Sequence, residues 1–312
     1  MNLLTPAAGT VVMATAIISV GFGLTGHRTL SVAALVVAGV LWAALAAVFA
    51  VRLLHCPERW RKEALTPPAL TAVAATCILG TCLSQQGLQT AAAAALALSA
   101  ALWPALLVPV LRGRQRGLPG VVFLVCVATE ALAVGAATLA LARRLDWLCG
   151  PALAFALLGV ALYGVAFGRF DRHQIRTGSG DHWIAGGALS IVALACDRLT
   201  AAADPDGPLG WAPALHAPLR AAALVLLAAA LLWLPVLVYA ELRWPRRRYD
   251  IRRWATVFPL GMTAVSALSA AAPTGFPGLD VLGRVLLWVA VAAWLLTAAG
   301  AVRSARRGGG SP

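Results

Sequence analysis

Residues 88–141 read LQTAAAAALALSAALWPALLVPVLRGRQRGLPGVVFLVCVATEALAVGAATLAL. Two apolar stretches, 88–111 and 117–141, are joined by a short basic loop. Each is long enough for a transmembrane helix, which needs about 20 mainly apolar residues. Working outward, the same pattern marks ten stretches: 6–24, 30–54, 67–84, 88–111, 117–141, 144–167, 182–203, 213–241, 254–272 and 278–302. Of 312 residues, 61% are hydrophobic and 12% charged, with a mean hydropathy of +0.83. Soluble domains carry about 25% charged residues. The expected fold is an all-α integral membrane protein, one polytopic domain over 6–302, with a disordered tail over 303–312.

The loops are short, so consecutive helices pair as hairpins: 6–54, 67–111, 117–167, 182–241 and 254–302. Five similar units suggest an internal repeat. Of the 25 basic residues, 19 follow even-numbered stretches or lie in the C-terminal tail. They include Arg59, Arg61, Lys62, Arg112, Arg114, Arg116, Arg246, Arg247, Arg248, Arg252, Arg253, Arg306 and Arg307. Cytoplasmic loops collect Lys and Arg, so both termini are expected in the cytoplasm of a multi-pass plasma-membrane protein. Topology then accounts for most of the net charge of +13. With no aromatic-interleaved basic patch or known module, nucleic acid is not an expected partner. The N-terminus has no basic region before a short apolar core, so no cleaved signal peptide is expected.

The hydroxyl residues alternate with the stretches. Ser plus Thr number 15 in the odd-numbered stretches and 4 in the even-numbered ones. Lipid-facing surface has no use for hydroxyls, whereas a polar path does. The odd helices are therefore expected to form an inner ring, shielded from lipid by the even ones. Thr15, Thr76, Thr129, Ser190 and Thr263 are candidate pore-lining hydroxyls. Pro6, Pro67, Pro68 and Pro119 fit helix starts, where proline is comfortable. Pro259 lies within stretch nine and is expected to kink it.

Glu130 lies deep in stretch five. A charge at mid-bilayer costs about 2.5–3.5 kcal/mol on insertion scales. Glu130 is thus either a pore-lining or proton-coupling group, or a neutral acid bonded to nearby hydroxyls or a carbonyl. Asp181, His182 and Trp183 open stretch seven. Asp181 fits a helix cap and His182 with Trp183 an interfacial anchor, with a place for His182 at the cytoplasmic mouth of a pore as the alternative. The cysteines, Cys56, Cys77, Cys82, Cys126, Cys149 and Cys196, form no CxxC pair and mostly fit core packing. No zinc-type cluster, P-loop or GxSxG occurs, so neither a metal nor a cofactor is expected.

Three strings carry a family resemblance: PAAGTVVMATAIIS at 6–19, GDHWIAGGALSI at 180–191, and YDIRRWATVFPLGMTAVSA at 249–267 with its WxxxFPLG pattern. The chain resembles the tellurite-resistance/dicarboxylate transporter family over essentially its whole length. That family includes slow-type plant anion channels, bacterial anion-channel homologues, fungal malate permeases and sulfite exporters. The resemblance implies five hairpins in quasi-fivefold arrangement, odd helices around a central pore, and a homotrimer. It also implies that a phenylalanine on the ninth helix plugs the pore. The matching residue here is Phe258, which would otherwise be core packing.

The expected function is passage of small inorganic or organic anions across the lipid bilayer, channel-like or as an exporter. The alternatives are a proton-coupled carrier of a malate-like dicarboxylate, and an intramembrane enzyme using Glu130 and His182.

Overall fold

A computed structural model of the chain describes residues 6–113, 117–177, 180–245 and 249–308. Arg114, Arg116, Arg246, Arg247 and Arg248, and residues 309–312 of the tail, lie outside the described residues. The chain is helical, and extended pairing among the described residues is limited to one isolated bridge between Leu118 and Phe170. Ten helices follow the ten stretches: α1 (Gly9–Leu24), α2 (Arg28–His55), α3 (Thr71–Gln85), α4 (Gln89–Arg112), α5 (Leu124–Arg143), α6 (Cys149–Arg169), α7 (Ile184–Ala202), α8 (His216–Arg243), α9 (Trp254–Thr274) and α10 (Pro277–Gly308). Among the described residues nine helical spans are long and apolar enough to cross a membrane, and α1, at 16 residues, is the short one. It is an all-α integral membrane protein. The last helix runs through Gly308, so the tail expected to be disordered from 303 is helical over its described part. The loop after α2 also carries an unforeseen helix, Pro57–Ala64, tied back by an Arg52–Glu63 ion pair of 2.9 Å.

Each odd helix packs against its even partner as a hairpin, and the odd helices pack against one another in order, α1 on α3, α3 on α5, α5 on α7, α7 on α9, and α9 back on α1. They form a closed ring. Burial follows from this. In the span Gly120–Arg143, 94% of the apolar window is buried, against 11% in Arg28–His55. The even helices expose Leu, Val and aromatic side chains such as Val40, Leu157, Leu232 and Leu296, as a lipid-facing layer requires.

Local chemistry sets the turns. At the hairpin turns Gly26 (φ 79°), Gly87 (φ 82°), Arg144 (φ 53°) and Gly275 (φ 64°) are left-handed, a common way to close a helix C-terminus. The α7–α8 hairpin uses the longer segment around 203–212 instead, closed by Leu209 N–H donating to the Ala202 carbonyl at 2.7 Å. Every inner helix opens with a 3-10 turn: Pro6–Ala8, Pro67–Leu70, Gly120–Phe123, Asp181–Trp183 and Ile251–Arg253. Pro67, Pro68 and Pro119 sit at or just before such turns, where the missing N–H is harmless.

Candidate functional site: the inner face of the helix ring

The shared 3-10 turn gives the inner helices a common ruler. Nine residues on from its first residue lie Thr15, Thr76, Thr129, Ser190 and Leu260. Three of these are structurally equivalent. Thr15 accepts from Trp294 Nε1 at 2.9 Å, Thr76 from Trp42 Nε1 at 2.8 Å, and Thr129 from Trp103 Nε1 at 2.9 Å. Each tryptophan belongs to the outer helix of the preceding hairpin, α10, α2 and α4 in turn. Each threonine also donates to the carbonyl four residues back, at 2.8, 2.7 and 2.8 Å. These hydroxyls therefore face the outer layer, not the axis. The physical reason is that a hydroxyl in a helix buried on all sides satisfies itself on its own backbone and supplies the acceptor that a buried indole N–H needs.

The fourth and fifth positions differ. Ser190 donates to the Gly186 carbonyl at 3.1 Å and lies 2.8 Å from the Thr263 hydroxyl, a direct link between α7 and α9. Thr263 donates to the Pro259 carbonyl at 2.9 Å. At Leu260 there is no hydroxyl. Leu260 clusters with Trp183, Leu237 and Ala290, and Trp233 of α8 packs against that cluster with its Nε1 buried and without a hydrogen-bond partner. α9 thus lacks the latch that ties α1, α3 and α5 to the outer layer.

These contacts fix which way the helices face. A helix turns about 100° per residue, so the residue two before an outward threonine points the opposite way. That assigns Met13, Ala74 and Val127 to the inner face, all buried. For α9 the orientation follows independently. Pro259 and Thr263 face α7, since a Cβ on Gly187 would lie 3.0 Å from the Pro259 ring. Gly261 faces α1, where its Cβ would lie 2.7 Å from Ile17 Cγ2, and Leu260 faces outward. The remaining face carries Phe258, Met262 and Ser269. Phe258, 1% exposed, thus occupies the position of Met13, Ala74 and Val127. α9 continues as one α-helix through Pro259.

The start of α9 is held from both sides. Asp250 accepts from the Arg252 backbone N–H at 2.9 Å and from its guanidinium at 3.0 Å. Partial burial pushes the Asp250 carboxyl up, but these hydrogen bonds and the Arg252 and Arg253 charges outweigh it and hold the group below its usual value. Arg253 pairs with Glu241 at the end of α8.

Glu130 is fully buried, with neither carboxylate oxygen hydrogen-bonded within the protein. It points at α6, where a Cβ on Gly159 would overlap it. Its place is thus between layers, beside the outward Thr129. Asp181 makes no capping bond; Gly180, in left-handed conformation (φ 111°), holds the cap position. His182 and Trp183 are buried, 0% and 3% exposed, not anchored at an interface. The turn that carries them is pressed against Gly120, whose missing Cβ makes room for the Asp181 carbonyl and the His182 Cα. Five of the six cysteines are buried, Cys56 is exposed, and all are free. Among the described residues no three His, Cys, Asp or Glu side chains gather at metal-ligand range.

Sequence reasoning passed over Asp197 and Arg198, adjacent on the last turns of α7. Asp197 is 8% exposed, and Asp197 Oδ2 and Arg198 Nε are buried without hydrogen-bond partners. The signal was present as an acid–base dipeptide inside an apolar stretch, CDRLT at 196–200.

Comparison with known proteins places this ring in a family. A curated uncharacterized membrane protein of Mycobacterium tuberculosis, found in strain CDC 1551 / Oshkosh and in strain H37Rv, is 33% identical over 123 residues, 37% of this chain and 59% of the relative. The chain thus spans less than two thirds of the relatives' own length. A family model described as voltage-dependent anion channel matches residues 3–302. With nearly its whole length matched, the chain belongs to the voltage-dependent anion channel family.

Proposed function

We propose that the protein conducts small anions along the axis of its inner ring, and that the Phe258 ring is the plug. The observation that carries this reading is the orientation of α9, whose contacts with α7, α1 and the outer layer leave Phe258 on the inward face. Membership of an anion-channel family supports the class of cargo. An apolar aromatic constriction excludes a hydrated ion by filling the lumen and by disfavouring water. The basic residues that follow the even helices, among them Arg61, Lys62, Arg112, Arg169, Arg252 and Arg253, outnumber the acids Glu58, Glu63, Asp171, Asp181, Glu241 and Asp250 on the same side. That field concentrates anions at the mouth. The test is flux into liposomes holding the purified protein, with chloride, nitrate, sulfite and malate offered separately. No flux of any of them sinks the reading.

The orientation we propose puts both termini in the cytoplasm of the plasma membrane, on the asymmetry of basic residues. A membrane-impermeant thiol reagent applied outside is expected to label Asp206→Cys and not Arg303→Cys. The reverse pattern overturns it. Trimeric assembly rests on the family resemblance alone, and its measurement is the mass of the detergent-solubilised particle.

A second reading, a proton-coupled dicarboxylate carrier, draws on the buried, unpartnered Glu130 carboxyl. Its place against α6, off the inner face, favours a structural role. We therefore expect Glu130→Gln to leave the response of flux to a pH gradient as in the wild type. Loss of a wild-type pH-gradient dependence in that variant would instead make Glu130 the coupling group. Catalysis is no part of this proposal. Glu130 lies midway along α5 and His182 in the turn before α7, so the two do not meet at one depth.

A further inference from the structure

Eleven residues beyond Met13, Ala74, Val127 and Phe258 on the same helices stand Leu24, Gln85, Thr138 and Ser269. Eleven residues are three turns within about 20°, and a rise of about 16 Å. The second set therefore lies on the same inward face, toward the end where α1, α3, α5 and α9 finish. Three of its four members are polar. Each of those three has a buried oxygen that hydrogen-bonds nothing in the protein: Gln85 Oε1, Thr138 Oγ1 and Ser269 Oγ. Buried polar groups are rarely left so, and each unsatisfied one asks for an explanation. The contrast with the outward hydroxyls Thr15, Thr76 and Thr129 is sharp, since all three of those are bonded twice over.

Gln85 also lines a cleft of about 500 Å³ that opens at this end, together with Gly23, Gly26, Arg28, Gln86 and Gly87. The guanidinium of Arg28 gives that cleft a fixed positive charge.

We infer that Gln85, Thr138 and Ser269 form a coordination ring for a small monovalent anion that has shed part of its water, and that Arg28 gathers anions into the cleft leading to it. Two hydroxyl O–H groups and the Gln85 amide N–H₂ are the donors. The amide presents that end by a half-turn, which breaks no bond of its unpartnered oxygen. Neutral donors of this kind replace part of the hydration of chloride or nitrate. They do not repay the much larger desolvation of sulfate or a dicarboxylate, which grows with the square of the charge. Near this level of α7, Arg198 and Asp197 are adjacent in the chain and are not members of the ring. A ring without a net charge also lets the ion leave, as conduction requires.

This inference rests on the axial pathway proposed above, so its test is made in the Phe258→Ala protein, where that pathway is expected to be open. Thr138→Val with Ser269→Ala removes two donors at nearly constant shape. Half-saturating chloride in liposome flux is expected to rise about fivefold for each hydrogen bond lost, with a change in the nitrate-to-chloride permeability ratio. Anion flux with both quantities unchanged overturns the ring and leaves the pathway standing. Absence of anion flux already in Phe258→Ala overturns the pathway, and the ring with it. Gln85→Glu keeps the question decidable if the double variant fails to fold. A carboxylate at that position is expected to depress chloride flux and move the reversal potential toward cations, and an unmoved reversal potential rejects Gln85 as a ligand.

Discussion

Phe258→Ala is expected to yield a folded protein whose anion flux rises at least about tenfold, the factor that roughly 1.4 kcal/mol off a barrier produces. The ring is 1% exposed and buried within the helix ring. Its layer partners are slim: Met13 is unbranched, Ala74 is small and Val127 short. On the proposed plug reading, Phe258 is the bulkiest of these four side chains and the one expected to close a lumen between them. The neighbouring Pro259 packs on Gly187 and Gly261 on Ile17, so α9 is wedged between α7 and α1 and cannot rotate the ring aside without disturbing both. Removal of the side chain is then expected to open the proposed passage in place. A purely packing phenylalanine behaves otherwise. Its truncation leaves a cavity costing about 3–5 kcal/mol, and the expected result is then poor expression or a lowered melting temperature with unchanged flux. Measuring flux and melting temperature on the same preparation separates the two. Wild-type flux from folded Phe258→Ala protein rejects the plug.

The layer order was legible in the sequence, and the facing of individual side chains was not. Stretch length and the basic loops gave ten helices in five hairpins, because both signals are enforced by lipid. The excess of Ser and Thr on odd helices marked the inner layer correctly. The inference from inner layer to lumen then failed at Thr15, Thr76 and Thr129, because a helix buried on every side carries no amphipathic stripe to tell inward from outward. What was available was a pairing signal. Trp42, Trp103, Trp233 and Trp294 sit in otherwise featureless apolar helices, and a buried indole N–H must find an acceptor. Three of them find a threonine on the next inner helix. Trp233 instead packs against the cluster that holds Leu260, on the helix that bears Phe258. Asp181, expected as a cap, was displaced by the conformation of Gly180, a φ that the residue type permits but does not announce.

The largest expected effect on folding belongs to Gly120, which has no part in the proposed pathway. Gly120 opens the 3-10 turn before α5, and a Cβ there would overlap the Asp181 carbonyl and the His182 Cα. Both obstacles are backbone, so no rotamer change relieves the clash. Relief requires moving the start of α7 away from the start of α5, where Phe123, His182 and Trp183 are buried. Overpacking of a dense core costs typically about 1–3 kcal/mol and sometimes more, and a backbone obstacle puts Gly120→Ala at the upper end or beyond. Gly164→Ala is the control. Its Cβ would meet no atom within 4 Å, so α6 takes the methyl without adjustment. Thermal unfolding in detergent is therefore expected to show Gly120→Ala unfolded or strongly destabilised and Gly164→Ala only slightly shifted. Equal melting temperatures for Gly120→Ala and the wild type would mean that the two helix starts are not in contact, and that the closed ring is looser between α5 and α7 than its packing implies.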